Sequence, residues 1–149
     1  MSMPAIFAVA LGIAASATDL RDRTVPNWLT YSAVLLGLVW HSVTAGLRGV
    51  GFSLAGAAVG FAALLMFFLL GGMGGGDVKL LAAFGALIGP GLTFQALVWI
   101  AIFGGLGAAG SVFWHAWRSR KRQTGKARGD FIPYAPAIVG GVWLTLWAN

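Results

Sequence analysis

The sequence is poor in charge and contains no cysteine. Only 9% of its 149 residues are charged, and only four of them are acidic. Soluble domains are about a quarter charged, so this composition is typical of a membrane protein. The absence of cysteine excludes disulfides, thiol nucleophiles and cysteine-based zinc sites. His41 and His115 have no second histidine or carboxylate at metal-ligand spacing, so we predict neither a metal site nor a cofactor.

Apolar residues are abundant, at 58% of the chain, and the mean hydropathy is +0.83. About 20 consecutive apolar residues suffice to cross a bilayer as a helix. We therefore predict an all-α polytopic membrane protein, one domain over residues 1–149 with about six transmembrane helices and no soluble domain. The first span is expected to be retained rather than cleaved as a signal peptide, because no Lys or Arg precedes Arg21. The predicted spans are approximately 3–19, 28–47, 50–70, 78–89, 92–117 and 132–148.

The basic residues predict the orientation of these spans, because Lys and Arg concentrate in cytoplasmic loops. With both termini outside, nine of the ten basic residues lie inside and only Arg48 lies outside. The basic segment 118–128 follows this rule, and we expect it to have a secondary role in holding anionic lipid headgroups. It lacks the interleaved aromatic residues of a nucleic-acid patch, so we predict a lipid bilayer and no nucleic acid as its partner. The predicted location is the cytoplasmic membrane, with multiple passes.

Two aspartates adjoin the apolar runs, where an ionisable group is a candidate functional residue. Asp19 falls at the inner end of the first span, and Asp77 at the inner start of the fourth. Asp77 has a structural alternative, since it could cap the helix that follows it. Asp19 lies at a helix C-terminus, where negative charge is unfavourable, so a weak surface ion pair with a neighbouring arginine is its only structural alternative.

The other two acidic residues have simpler explanations. Asp22 is interpreted as a loop charge, and Asp130 as a cap of the sixth span, which has Pro133 in its first turn. We assign no chemistry to either of them.

Glycines precede Asp77 and also recur in the third span. The pair at 71–72 and the triplet at 74–76 permit unusual backbone conformations and the close approach of a second chain. We expect them to admit an extended peptide. Gly56 and Gly60 form a small-xxx-small spacing, which predicts close packing between helices.

Three segments resemble the signature of the type IV prepilin peptidases, a family of polytopic aspartic proteases. They read DLRDRTVPN over residues 19–27, GGGDVKL over 74–80 and IPYAPAI over 132–138. The resemblance implies that Asp19 and Asp77 are the catalytic pair. It also makes Gly74, Gly76, Lys79 and Arg23 candidates for binding or orienting the substrate, although positive-inside anchoring explains Lys79 and Arg23 equally well.

The activity implied by the resemblance is removal of the leader peptide from a prepilin or pseudopilin with a hydrophobic N-terminal segment. Cleavage would occur at the cytoplasmic membrane face, on which the active site opens. With two carboxyl groups sharing a proton, the ionised one activates water and the other donates a hydrogen bond to the scissile carbonyl. The helix ends favour Asp77 as the resting base and Asp19 as the resting acid.

This chain resembles the short, peptidase-only members that serve Flp/Tad-type pili. Long members have an additional cytoplasmic domain, often with paired cysteines, and also N-methylate the trimmed pilin. We therefore expect no methyltransferase activity and no S-adenosylmethionine.

Two alternatives stay open at this point. One is another membrane protease with a Gly-x-Gly-Asp motif, either a preflagellin peptidase or an intramembrane protease. The other is a transporter or channel subunit without enzymatic activity, in which the carboxylates would be expected near the middle of the bilayer.

Overall fold

The structure, a computed structural model, describes residues 3–22, 25–70, 74–119 and 135–149, without the side chains of Asp22 and of residues 106–119. These residues form four helices: α1 (Met3–Asp22), α2 (Asn27–Leu69), α3 (Gly75–Ser119) and α4 (Ala135–Ala148). No strand occurs in the described ranges. The prediction of an all-α protein is confirmed.

Helix α2 reverses direction at Gly46, which has φ 59° and ψ −139°. This left-handed conformation favours glycine, since a Cβ would be strained there. In a straight helix, His41 and Gly49 would be about 12 Å apart along the axis. Instead, a Cβ on Gly49 would overlap the carbonyl oxygen of His41. The two halves of α2, here α2a (27–45) and α2b (47–69), therefore run antiparallel.

Helix α3 is broken at Gly89, which has φ 80° and ψ 172° and precedes Pro90. Proline has no N–H, so the carbonyl of Ala86 cannot receive its usual helical hydrogen bond. The buried Ser53 hydroxyl donates to that carbonyl instead, at 2.8 Å. The break divides α3 into α3a (75–88) and α3b (90–119).

A second side chain from α2 also binds the end of α3a. His41 Nε2 donates to the carbonyl oxygen of Leu87 at 3.0 Å, and the His41 ring lies edge-on to Phe52 with centroids 5.2 Å apart. The reversal at Gly46 and the break at Gly89 consequently lie at the same end of the bundle.

The core forms where α2 packs closely on α3a. A Cβ on Gly56 would overlap the carbonyl of Gly85, and one on Gly60 would lie 2.5 Å from the carbonyl oxygen of Leu81. Gly37 of α2a makes the same kind of contact with Ala86. The small-xxx-small spacing thus marks a real helix interface, in which backbones approach without intervening side chains.

Helices α1 and α4 complete the bundle. Gly12 of α1 packs against Val139 and Trp143 of α4, while Gly141 packs against Ala96 and Ile100 of α3b. Asn149 Nδ2 donates a hydrogen bond to Gln95 Oε1 at 2.9 Å. The C-terminal end of α4 therefore lies near the N-terminal end of α3b, so these two helices run antiparallel. All these segments contribute to one buried core, which includes Leu11, Phe84, Ala96 and Val142.

Three of the helices are long and apolar enough to cross a membrane: Met3–Arg21, Asn27–Leu69 and Gly75–Gly105, with Ala135–Ala148 apolar but shorter. At 43 residues α2 would be about 64 Å long if straight, twice the bilayer core, whereas each of its halves matches one crossing. The breaks at Gly46 and Gly89 fall at the predicted boundaries between spans two and three and between four and five. The number of crossings itself stays a prediction.

Several predicted boundaries shift in the structure. Helix α1 continues to Asp22, so this residue belongs to the last turn of a helix and the interpretation as a loop charge is wrong. The described part of α4 begins at Ala135 and has Pro136 in its first turn. Asp130 and Pro133 lie outside the described residues, as does most of the basic segment 118–128.

Candidate active site

The two aspartates come together at one end of the bundle. Asp19 lies near the C-terminus of α1, and Asp77 in the first turn of α3. Both are buried, with 8% and 9% of their surface exposed, and their carboxyl groups are close enough to interact electrostatically. The prediction that they share one side of the protein therefore agrees with the geometry. Their catalytic role stays a prediction.

The environment of Asp77 also explains how α3 begins. Its carboxylate accepts a hydrogen bond from the N–H of Gly74, and its own N–H donates to the Gly74 carbonyl at 3.2 Å. Since α3 begins at Gly75, Asp77 is not the N-cap residue that we considered from the sequence. It occupies the third helical position, from which a carboxylate reaches back to the N-cap N–H. The negative charge also complements the N-terminus of the helix.

The segment before α2 packs directly on the start of α3. A Cβ on Gly76 would lie 3.5 Å from Cβ of Val25, and Lys79 Nζ donates to Asn27 Oδ1 at 3.0 Å. The two segments of the signature, 52 residues apart at this bond, thus form one structural unit beside the aspartates. Lys79 holds the N-terminal ends of α2 and α3 together.

The glycines next to Asp77 differ from those in the core. Among the described residues, positive φ occurs only at Gly46 and Gly89. A Cβ on Gly74, Gly75 or Gly76 would meet no described atom closer than 3.5 Å. Neither backbone strain nor internal packing therefore requires glycine at these three positions.

Helix α1 brings Asp19 to the site at its C-terminal end. Thr18 donates to the carbonyls of Ala14 and Ala15, at 3.1 and 3.0 Å, so its hydroxyl is satisfied within α1. Arg21 is exposed in the last turn of this helix. Arg23 lies outside the described residues, so its predicted orienting role has no structural description.

Asn27 was quoted in the sequence signature but received no role there. The structure gives it one, as the acceptor for Lys79. The two residues are 52 positions apart, and a side-chain contact between residues so distant leaves no periodic pattern in the sequence. The only signal in the sequence that singled out Asn27 was its place in the signature. Within the described part of the chain, no group of three or more His, Cys, Asp or Glu residues is arranged to hold a metal ion.

Comparison with known proteins identifies relatives of this chain. The model of the type IV leader peptidase family matches residues 6–109, which include both aspartate segments. The chain is 31% identical over 140 residues to the prepilin leader peptidase/N-methyltransferase of Bacillus subtilis, covering 93% of this chain and 52% of the relative.

Similar values hold for proteins with the same name in two other bacteria. Identity is 33% over 145 residues for that of Xanthomonas campestris pv. campestris, covering 92% of this chain and 47% of the relative. It is 31% over 146 residues for that of Burkholderia pseudomallei, covering 91% and 43%. The chain spans about half the length of these curated relatives. No solved structure matches it.

Proposed function

The chain belongs to the type IV leader peptidase family, and from that premise we propose that it is an aspartic endopeptidase that removes the leader of a type IV prepilin or pseudopilin. The proposed substrate is of the Flp/Tad type and has a hydrophobic segment after the scissile bond. Cleavage takes place at the cytoplasmic face of the inner membrane, beside the N-terminal end of α3.

The observation that supports an aspartic mechanism is the pair of buried carboxyl groups supplied by two separate helices. Two carboxylates at one buried site do not both ionise easily, so they share a proton and titrate as a pair. The ionised carboxylate removes a proton from water, which attacks the scissile carbonyl carbon. The protonated carboxyl donates a hydrogen bond to the carbonyl oxygen as negative charge develops on it.

The glycine backbone at residues 74–76 supports the binding of an extended peptide. Without side chains there, the substrate backbone approaches the Asp77 carboxylate closely. Lys79 and Asn27 act as positioning residues, because their hydrogen bond fixes the start of α3 relative to the start of α2. The assignment of Asp77 as the resting base and Asp19 as the resting acid stays a prediction. An NMR titration with labelled carboxyl groups would check it.

The experiment that tests the proposal is co-expression with a prepilin from the same genome. Asp19→Asn and Asp77→Asn should each lower leader removal at least about 100-fold, the usual contribution of a general acid or base. Asp22→Asn is the matched control, since it removes an acidic residue three positions from Asp19 and should cleave at the wild-type rate. Cleavage that persists in either Asn variant, with the protein inserted in the membrane, would refute the proposed pair.

The position of the cut distinguishes the other proteolytic functions. Mass spectrometry of the product should place the cut before the hydrophobic segment, and a cut within that segment would indicate an intramembrane protease. Transport is less well supported, because both aspartates lie in the end turns of their helices rather than midway along them. An unmethylated product after incubation with S-adenosylmethionine is expected, and a methylated one would contradict that expectation.

A further inference from the structure

A groove of about 250 Å³ separates α1 from α2a. Its floor is buried and consists of Leu11, Leu29 and Ala33, together with Leu87 of α3a. Its rim is exposed and consists of Ala10, Ser32 and Leu36. The Ser32 hydroxyl donates to the carbonyl of Leu29 within its own helix, so the groove presents no unsatisfied hydroxyl donor from this residue. This α1–α2 groove is therefore apolar and open to the outside of the bundle.

The groove leads toward the aspartates. Because only four residues separate the end of α1 at Asp22 from the start of α2 at Asn27, α1 and α2a run antiparallel. Of the residues that line the groove, Ala14 and Leu29 are therefore the nearest to this connection, and Phe7 and Leu36 the farthest. Ala14 is five residues before Asp19 on α1, a rise of about 7.5 Å, and Phe7 is twelve residues before it, about 18 Å. The groove thus begins one to two helical turns from the candidate active site.

We propose that the α1–α2 groove binds the hydrophobic helix that follows the scissile bond of the prepilin. This inference rests on the proposed function. Ala10 and Ala14 are one turn apart on α1, and small residues at such spacing let a transmembrane helix approach closely. The occupant is oriented by the aspartates: its N-terminal end lies at Asp19, and it runs antiparallel to α1 and parallel to α2a.

The geometry also gives the register of the substrate. If the scissile bond lies at the level of Asp19 and the substrate is helical from there, about residues 5–12 after that bond lie in the groove. A second apolar groove, of about 580 Å³ between α3b and α4, includes Phe103 and Gly140. Neither of the segments that form it carries an aspartate of the site, so it serves as the control surface.

The absence of cysteine from the chain makes cross-linking a direct test. Ser32→Cys and Leu36→Cys each introduce a single thiol on the rim, in the Asp77→Ala background that leaves the substrate uncut. Membranes from co-expression with prepilins that carry one cysteine at residues 3–20 after the scissile bond, treated with a thiol oxidant such as copper phenanthroline, should give disulfide adducts for about residues 5–12. Disulfide formation requires Cα atoms within about 7 Å, so it reports the register. Gly140→Cys and Leu54→Cys are the matched controls and should give none.

A second experiment fills the groove without touching the aspartates. Ala10 is exposed, so Ala10→Leu adds bulk to the groove without disturbing the core. We expect about a tenfold lower kcat/KM through a higher KM, with kcat unchanged, because the groove contributes binding rather than chemistry. Gly140→Leu adds the same kind of bulk to the second groove, where a Cβ meets nothing within 4 Å, and should leave both constants unchanged.

Adducts from Ser32 and Leu36 confined to the expected substrate residues would support the proposal. It would be overturned by adducts mainly at Gly140 or Leu54, by cross-links only between two copies of this chain, or by no adducts with prepilins that the chain with Asp77 intact does process. Unchanged kinetics of Ala10→Leu would also overturn it, and would indicate that lipid alone occupies the groove. These outcomes are separate from the aspartate variants, whose continued cleavage would refute the proposed function instead.

Discussion

Gly56→Ala gives the sharpest test of how the bundle is held together. A Cβ at this position would lie 2.8 Å from the carbonyl carbon of Gly85 and 2.9 Å from that of Gly89. Ordinary carbon–carbon contact is about 3.5–4.0 Å, so α2b and α3a must separate by about 1 Å to admit a methyl group. Such overpacking costs about 1–3 kcal/mol. Because α3a carries Asp77, the same displacement should also reduce leader removal.

The same helix provides a matched control in Gly51→Ala. Gly51 is exposed, and a Cβ there would meet nothing within 4 Å. Both substitutions bring the same gain in helix propensity, about 1 kcal/mol, so the difference between them isolates the packing term. We expect Gly56→Ala to be less stable than Gly51→Ala by about 1–3 kcal/mol. Reversible unfolding in mixed SDS micelles, followed by circular dichroism, measures this difference.

Gly85→Ala should behave like Gly56→Ala, because each glycine would place its Cβ against the backbone of the other. The double variant should lose less than the sum of the two, since one substitution already separates the helices. If Gly56→Ala and Gly51→Ala differ by less than about 0.5 kcal/mol, the helices are not in backbone contact there and the reasoning fails.

The remaining predictions concern the break in α3 and the start of the site. Ser53→Ala leaves the buried Ala86 carbonyl without its hydroxyl donor and should lower the free energy of unfolding by about 1–3 kcal/mol in the same assay; no loss would show that another group replaces the hydroxyl. Gly89→Ala should lower the free energy of unfolding by about 1–3 kcal/mol because of its backbone conformation, in addition to the cost of its overlap with a neighbouring aromatic ring. A variant as stable as the unsubstituted chain would contradict the sharp break in α3. Lys79→Met and Asn27→Ala should each lower the free energy of unfolding by at most about 1 kcal/mol, and their effects should be non-additive in a double-mutant cycle. Additive effects would mean that the hydrogen bond between the two side chains contributes nothing to stability.

Local sequence patterns predicted more of this site than of the packing around it. Asp19 and Asp77 could be placed at one end because basic residues and apolar runs alternate along the chain, and helix ends follow from those runs. The spacing of Gly56 and Gly60 likewise indicated a close helix interface. The bond between Asn27 and Lys79 could not be derived in this way, because it joins residues 52 positions apart and exposed polar side chains have many possible partners.

The positions of the helix breaks at Gly46 and Gly89 could be predicted from the sequence, but the contacts that stabilise them could not. The sequence placed span boundaries near Gly46 and Gly89, since apolar length is a local property that the bilayer thickness constrains. It did not indicate that Ser53 and His41 would bind the carbonyls at the end of α3a, because an unsatisfied carbonyl selects its donor only after the helices have packed.

By itself, the sequence determined that this chain is a helical membrane protein with two aspartates at helix ends, because hydropathy and charge act residue by residue. The tertiary structure decided which helices touch, that Val25 packs on Gly76 at the start of α3, and that the α1–α2 groove lies on the same helix as Asp19 and ends at Ala14. Each of these depends on the distance between segments remote in the chain, and that distance is set by side-chain volume and backbone contact rather than by any local pattern.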